Sequence, residues 1–254
     1  MPGRPYVLAE TTWKTVRETA YEVAILPWGA TEAHNYHLPY STDVNESDRI
    51  AAESARIAWG QGAKVVVLPT VPFGVNTGQM DLRLTINVNP STQLAVLRDV
   101  AESLERQGIQ KLLILNGHGG NDFRQMIREL ALGSRLLVCT LNWYQTVDMT
   151  GIFSEPGDHA GEMETSLMQV FAPDLVLPLS EAGEGRARTF RLKGLREGWA
   201  WTQREWTKVT EDTGVGSPRA ATPEKGRRYF EAVTQKIGGF LVELAAADAS
   251  DLYE

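Results

Sequence analysis

All four histidines of this 254-residue chain fall in three short segments rich in carboxylates and glycine. His34 and His37 stand with Glu32 in residues 29–37, and Asp43 follows shortly after. His118 is at the centre of Asn116-Gly117-His118-Gly119-Gly120-Asn121. His159 lies in Asp158-His159-Ala160-Gly161-Glu162-Met163-Glu164. Imidazole and carboxylate together are the ligand set for zinc, manganese or iron, and glycine lets backbone and substrate approach closely. Folding at this length needs no histidine, so placing every one beside acids points to a metal-dependent active site.

Spacing sharpens the reading. Glu32 and His34 are two apart and project to one side of extended backbone, which suits two ligands of one ion or one ligand each for adjacent ions. Asp43 has two readings. It precedes a helix with Glu46 three residues on, as in a capping box, or it is a ligand able to bridge two ions. His37 is expected one layer out, orienting a ligand. The 116–121 segment is a tight strand-to-helix turn without the lysine or glycine spacing of a phosphate loop. His118 at its centre therefore reads as a ligand or catalytic group, with Asn121 available to cap the next helix. Acids near a helix N-terminus complement its dipole, which accounts for Glu162 and Glu164 but leaves His159 for chemistry. No Gly-x-Ser-x-Gly elbow or Cys–His pair competes.

Alternating apolar runs and helical periods supply the scaffold. Strands are expected at 23–28, 65–68, 111–115 and 135–140, and helices at 44–59, 90–107, 121–132, 162–171 and 223–247. That alternation predicts a parallel sheet covered by helices, with ligands collecting at the carboxyl ends of its strands. Residues 184–216 break the rhythm. Their alternating polar and aromatic residues, with Trp199, Trp201 and Trp206 close together, suggest a hairpin or extended flap serving as a lid or subunit contact. No linker or repeat divides the chain, so a single domain over 1–254 is expected.

Composition narrows the class further. A net charge of −7 with no basic stripe argues against nucleic acid as partner. No apolar run reaches the roughly 20 residues that span a bilayer, and no signal-peptide pattern opens the chain. The single cysteine, Cys139, reads as a core thiol and fits a cytoplasmic protein.

The three segments, in this order, resemble the creatininase (creatinine amidohydrolase) family. Its Glu-x-His-x-x-His-Leu-Pro pattern appears as Glu32, His34, His37, Leu38 and Pro39, followed by Thr42-Asp43. The Asn-Gly-His-Gly-Gly-Asn block is whole at 116–121, and His-Ala-Gly-x-x-Glu-Thr-Ser is whole at 159–166. The resemblance implies a three-layer α/β/α sandwich with a mostly parallel central sheet and a homo-oligomer. It also implies one or two divalent metals (zinc, manganese or iron) and hydrolysis of a non-peptide carbon–nitrogen bond. By position, Glu32 and His118 serve one metal, His34 the other, and Asp43 bridges them. Creatinine-hydrolysing members place a metal-ligating glutamate where this chain has Gly120, and Glu164 is the expected replacement. They also carry a tryptophan where Glu155 stands, and a Phe-Pro-Gly-Thr stretch where this chain has Asp81-Leu82-Arg83-Leu84-Thr85. Both changes imply a small amide other than creatinine, such as another cyclic amide or a formamide.

In the mechanism this implies, metal-activated water attacks the carbonyl, the second ion or His159 polarises it, and Glu162 or Glu164 shuttles the proton. His37, Asn116, Gly119, Gly120, Asn121 and Trp143 are expected to orient ligands or contact substrate. Arg83, if it faces the cleft, would favour an anionic substrate. The rival readings are a peptidase of the cofactor-maturation type and a catalytically silent metal- or nucleotide-binding homologue.

Overall fold

The computed structural model describes residues 3–155 and 157–253. Four strands form one fully parallel sheet: β1 (Val23–Trp28), β2 (Val65–Val67), β3 (Lys111–Asn116) and β4 (Leu137–Asn142), in the order β2-β1-β3-β4. β1, β2 and β3 are buried along their whole length, as continuous apolar runs in a covered parallel sheet should be. Ala24 pairs with Leu112 and Trp28 with Asn116, so the carboxyl ends of β1 and β3 finish side by side.

Helix α1 (Trp13–Glu18) precedes β1 and starts where the Thr12 side chain accepts the Thr15 N–H. Helix α2 (Thr42–Gly60) follows β1, α3 (Pro90–Arg106) follows β2, and α4 (Arg124–Leu130) follows β3. Helices α5 (Glu162–Phe171), α6 (Lys193–Arg196), α7 (Trp206–Val209) and α8 (Pro223–Ala246) complete the chain. One face of the sheet, through Val23, Ile25, Val65, Leu113 and Leu115, packs on Ile50 and Ala51 of α2, Leu167 of α5 and Val233 and Ile237 of α8. The other face, through Ala24, Leu26, Leu112 and Ile114, packs on Leu97 and Ala101 of α3 and Met126 of α4. This is the expected three-layer α/β/α sandwich. The helix after β1 and the helix after β3 lie on opposite faces. The gap between their carboxyl ends is therefore a topological switch point, where open α/β sheets bind ligands.

Several expectations needed revision. Helix α4 begins three residues later than the periodicity suggested, because Asn121 is bound elsewhere and does not cap it. Helix α1 is too short to show a helical period and was not anticipated. Residues 184–216 form no hairpin. They hold the single-turn helices α6 and α7 and two isolated antiparallel bridges, Ala187 to Thr210 and Val215 to His159. Glycines at 185, 194 and 198 interrupt the alternation there. Among the described residues, no helix is long and apolar enough to cross a membrane.

Helix α8 comes close to α5 because of one glycine. A Cβ on Gly226 would lie 2.0 Å from the Ser166 carbonyl oxygen, whereas a Cβ on Gly239 would meet nothing within 4 Å. Gly226→Ala should therefore destabilise by about 1–3 kcal/mol through overpacking. Gly239→Ala, in the same helix, should stabilise by roughly 0.5–1 kcal/mol by removing backbone entropy from the unfolded chain. Thermal denaturation of both variants checks the packing, since shifts of the same sign would contradict it.

Candidate metal centre

Four parts of the chain deliver side chains to this switch point. The loop after β1 supplies Glu32 and His34, the first turn of α2 supplies Asp43, and the turn after β3 supplies His118. The stretch entering α5 supplies His159 and Glu164. The two Asp43 oxygens face different histidines: Oδ1 is 2.8 Å from His34 Nε2 and Oδ2 is 3.0 Å from His118 Nδ1. Glu32 Oε1 lies 3.0 Å from His118 Nδ1, 3.7 Å from His159 Nδ1 and 4.0 Å from His34 Nε2. Three triads result, each with ligand atoms within 4.8 Å of one another: Glu32/Asp43/His118, His34/Asp43/Glu164 and Glu32/His34/His159.

Each inward histidine is anchored through its other nitrogen to a backbone carbonyl. His34 Nδ1 is 3.2 Å from Glu32 O, His118 Nε2 is 3.1 Å from Val75 O, and His159 Nε2 is 2.8 Å from Ala33 O. A carbonyl only accepts, so the anchored nitrogen must carry hydrogen. In the neutral ring the nitrogen facing the cluster then has a free lone pair, the arrangement that orients metal-ligating imidazoles. His34 Nε2 and Asp43 Oδ2 are buried without an aligned hydrogen bond. The donor set and these orphaned atoms fit divalent cations.

The electrostatics agree. Burial alone would push the His34 imidazolium pKa down, but Asp43, Glu164 and Glu32 carry it up to about 10. His118 likewise rises well above its usual value against burial, through Glu32 and Asp43. Burial opposes ionisation of Glu32 and Asp43, yet the adjacent imidazoles hold both below the ordinary carboxylate range. Glu164 rises, driven first by burial. Without a metal, protons on the imidazoles supply the positive charge that the carboxylates demand.

The surroundings hold these groups in place. Asn116 Oδ1 accepts from the His118 backbone N–H at 3.2 Å and from Asn121 Nδ2 at 2.9 Å, while Asn121 Oδ1 accepts from Val75 N and Gln93 Nε2. The buried Gln79 donates to the outer oxygen of Glu32. Asn35, left-handed at φ 53°, ties the loop between the two histidines to Gly183 and Thr213. Ala160, at φ 52°, turns its N–H onto Glu164.

Other expected residues lie farther out. His37 bonds through Nε2 to Thr165 of α5, beside Glu164, and burial followed by repulsion from His34 lowers its pKa to about 4. Trp143 is buried in the core, packed edge-on against Tyr144 and beneath Gly117, and cannot contact substrate. Glu162 is outside all three triads. Its oxygens take the Lys225 ammonium and the backbone N–H groups of Ser154 and Glu155, which lower its pKa against burial. The capping box at Asp43 does not form. Ser41 holds the N-cap position, and Glu46 is buried with neither oxygen hydrogen-bonded. Burial, then Glu164 and Asp43, raise the Glu46 pKa well above its usual value. Gly119 is open, but a Cβ on Gly120 would lie 2.2 Å from Val75 O and 2.5 Å from His118 Nε2. A side chain at 120 would thus displace the bond that orients His118.

Sequence reasoning missed Gln79 and Arg204, and it named Trp206 only as part of a lid or subunit contact. The Trp206 ring meets His159 edge-on at 5.2 Å, and the Arg204 guanidinium lies 4.5 Å over that indole. Of the three clustered tryptophans, this one is buried against its own chain's site. Trp201, Gln203, Arg204 and Trp206 wall a cavity of about 180 Å³ over Glu32, His118 and His159. A second cavity of about 560 Å³ reaches His159 and Glu164 from the 144–158 side.

Comparison with known proteins places this geometry. The creatininase family profile, described as creatinine amidohydrolase, matches residues 9–241. A mycofactocin precursor peptide peptidase of Mycobacterium ulcerans (strain Agy99) is 26% identical over 228 residues, covering 87% of this chain and 81% of its own length. The structure of a candidate creatinine amidohydrolase from Bacteroides fragilis NCTC 9343 superposes with a TM-score of 0.92 at 45% identity, covering 98% of this chain and 99% of that one. Creatininase solved in manganese and Zn–Zn forms shares the fold, with a TM-score of 0.78 at 24% identity over 96% of this chain and 100% of that one. The chain belongs to the creatininase family, whose members are metal-dependent hydrolases of carbon–nitrogen bonds.

Proposed function

We propose that this protein hydrolyses a small amide other than creatinine, a cyclic amide or formamide, at a site for two divalent metals. The observation that carries this reading is the inward aim of His34, His118 and His159, each fixed by a backbone carbonyl, onto shared carboxylates. One ion would be held by Glu32, Asp43 and His118, and the other by His34, Asp43 and Glu164. Zinc and manganese suit this mixed nitrogen and oxygen set, as does iron(II). Such cations would supply Lewis acidity and lower the pKa of a water at the site toward about 7.

The protein's own groups do the rest. Asp43 offers an oxygen to each side, and Gln79 and the Asn116–Asn121 network fix Glu32 and His118. His159 Nδ1 faces the cluster with a free lone pair and no close hydrogen-bond partner, and we assign it to accept the proton that the attacking water gives up and to pass it to the leaving nitrogen. Trp206 limits water behind that ring. Glu162 takes a different role from the proton shuttle expected above, because Lys225 and the 154–155 backbone occupy both of its oxygens. It positions the entrance to α5.

A short peptide is the second reading, favoured by the match to the mycofactocin precursor peptide peptidase over 87% of this chain and by cavities on two sides of His159. A lone, partly buried Cys139 supports a reducing cytoplasm. Trp199 and Trp201, 76% and 83% exposed, support a subunit contact and a homo-oligomer. The direct test is a screen of lactams, formamides and short peptides with chelator-stripped and metal-restored protein. Metal-restored turnover of an amide supports the reading. Turnover of peptides alone supports the second one, and turnover insensitive to chelation contradicts both.

Variants separate the roles. Glu164→Gln should lose about half of the bound metal. His159→Ala should keep its metal while kcat falls by about 10²–10⁴, the usual worth of a proton-transfer group. Loss of metal from His159→Ala would make that residue a ligand instead. Gly120→Glu should not supply a ligand, because it collides with Val75 and His118, and it should lower metal content.

Metal binding should also displace protons. In the metal-free protein His34 stays protonated up to about pH 10, and His118 is raised as well. Zinc binding at pH 7 should thus release about one to two protons, and affinity should strengthen as pH rises. Calorimetry in buffers of different ionisation enthalpy reads this directly, and zero release would contradict the assignment.

Glu162→Gln should destabilise by roughly 3 kcal/mol at neutral pH, as expected for breaking a buried pair. The folded-state pKa of Glu162 is depressed, so its contribution is present above the unfolded value of 4.5 and is lost as pH falls through the folded value. The gap between wild type and variant in chemical denaturation should therefore close in acid. A gap independent of pH would contradict the ion pair.

A further inference from the structure

The segment from Arg186 to Lys208 carries seven Lys and Arg residues against two Glu, in a chain whose net charge is −7. The structure gathers these cations around one concavity. A cavity of about 530 Å³ is lined by Arg188, Arg191, Arg196, Arg204 and Lys208, with Glu205 as the one acid on its wall. Lys208 is paired with Glu205. Arg188 and Arg191 form no ion pair with any described residue. Arg196 donates to the carbonyls of Phe190 and Arg191, which leaves its charge uncompensated. Like charges gathered in a concavity repel one another and focus a positive potential that an anion would relieve.

This basic cavity adjoins the metal-side cavity, and the two share Thr202, Gln203 and Arg204 as a common wall. Arg204 is the junction. Its guanidinium stacks 4.5 Å over Trp206, the ring that packs on His159, and its Nη1 lies 3.0 Å from Asp158 Oδ2. Its side chain is about one-third exposed, so an incoming anion can reach it. The opposite polarity of the two neighbouring cavities is the informative feature. The inner one is built from carboxylates and imidazoles for cations, and the outer one from guanidiniums. Arg83, the arginine that sequence alone offered for an anionic substrate, is exposed and lines neither.

We propose that the substrate is an anionic small amide whose phosphate or carboxylate group sits in the Arg188–Arg191–Arg196 cavity, with Arg204 at the junction between that group and the scissile bond. This rests on the hydrolase reading above. Planar guanidiniums favour both oxyanions through paired hydrogen bonds. The cavity volume suits a group of small-molecule size, and its charge gives an anionic amide the advantage over a neutral lactam such as creatinine.

The test has a binding arm and a turnover arm. Inorganic phosphate and succinate are titrated separately into metal-loaded wild type and into the double variant Arg188→Ala/Arg191→Ala, with metal content measured for both. Both arginines are exposed and lie outside the metal triads, so the variant should fold and keep its metal. Binding of at least one anion should weaken about tenfold to a hundredfold in the variant, the range for losing charge-assisted hydrogen bonds. Tighter binding of phosphate assigns a phosphate group, and tighter binding of succinate assigns a carboxylate. Equal affinity in wild type and variant overturns the proposal, since the anion would then be meeting the metals.

For turnover, amides are compared in pairs that differ only by the anionic group. The anionic member should have the higher kcat/KM, and the advantage should disappear in the double variant. Equal turnover within every pair overturns the anion cavity while leaving the hydrolase reading intact. Anion binding that depends on the arginines, without turnover of any amide, supports the cavity and contradicts the hydrolase reading. A preference for acidic peptides over every small anionic amide overturns the proposal.

Discussion

Four carboxylates, Glu32, Asp43, Glu46 and Glu164, converge on one end of the sheet, and three of them are almost entirely buried there. An isolated ionised carboxylate in such a place is prohibitively costly, so either protons or cations must accompany it. The surrounding fold meets that demand. Three histidines face the acids, the one lysine nearby is committed to Glu162, and the shifts of His34 and His118 show where positive charge is wanted. Two divalent cations would more than offset the three triad carboxylates and replace those protons. Glu46, with neither oxygen hydrogen-bonded, is pushed toward its neutral form by burial and then by Glu164 and Asp43.

The sheet topology explains why this charge can gather. Loops leaving β1 and β3 diverge to opposite faces and open a crevice into which short segments point. Asp43 enters from the first turn of α2, and Glu164 from the first turn of α5, where helix N-termini also favour negative charge. Gly120 leaves room for the His118 ring to reach Val75. In the proposed two-metal site, α5 would provide through Glu164 the carboxylate that position 120 lacks.

Much of this was legible in the chain. The strands follow from apolar runs such as Val23-Ala24-Ile25-Leu26, and α3 and α8 begin at the prolines whose fixed φ suits a first turn. Glu32, His34, His118 and His159 were legible because acids and histidines in glycine-rich turns have few other uses, whereas Asp43 suited a helix cap equally well and Glu164 stood out only through the family resemblance. What escaped detection depends on contacts across many residues. Gln79 reaches Glu32 across 47 positions with only an ordinary polar residue to announce it, and the tryptophan cluster at 199–206 did not show that Trp206 packs on His159. Glu162 misled because its partner, Lys225, lies 63 residues on, and Asp43-to-Glu46 mimicked a cap because the same spacing serves both uses. Residues 184–216 alternate like a hairpin, yet the alternation reflects aromatic side chains on an irregular wall around the site.

The proposed site requires two cations that share Asp43. Anomalous diffraction from crystals grown with manganese or zinc tests that claim most directly. Two peaks per chain, about 3.5–4 Å apart as in other two-metal sites, with Asp43 touching both and Glu164 touching the one beside His34, is the result predicted. A single peak, or a second one away from Asp43, would contradict it.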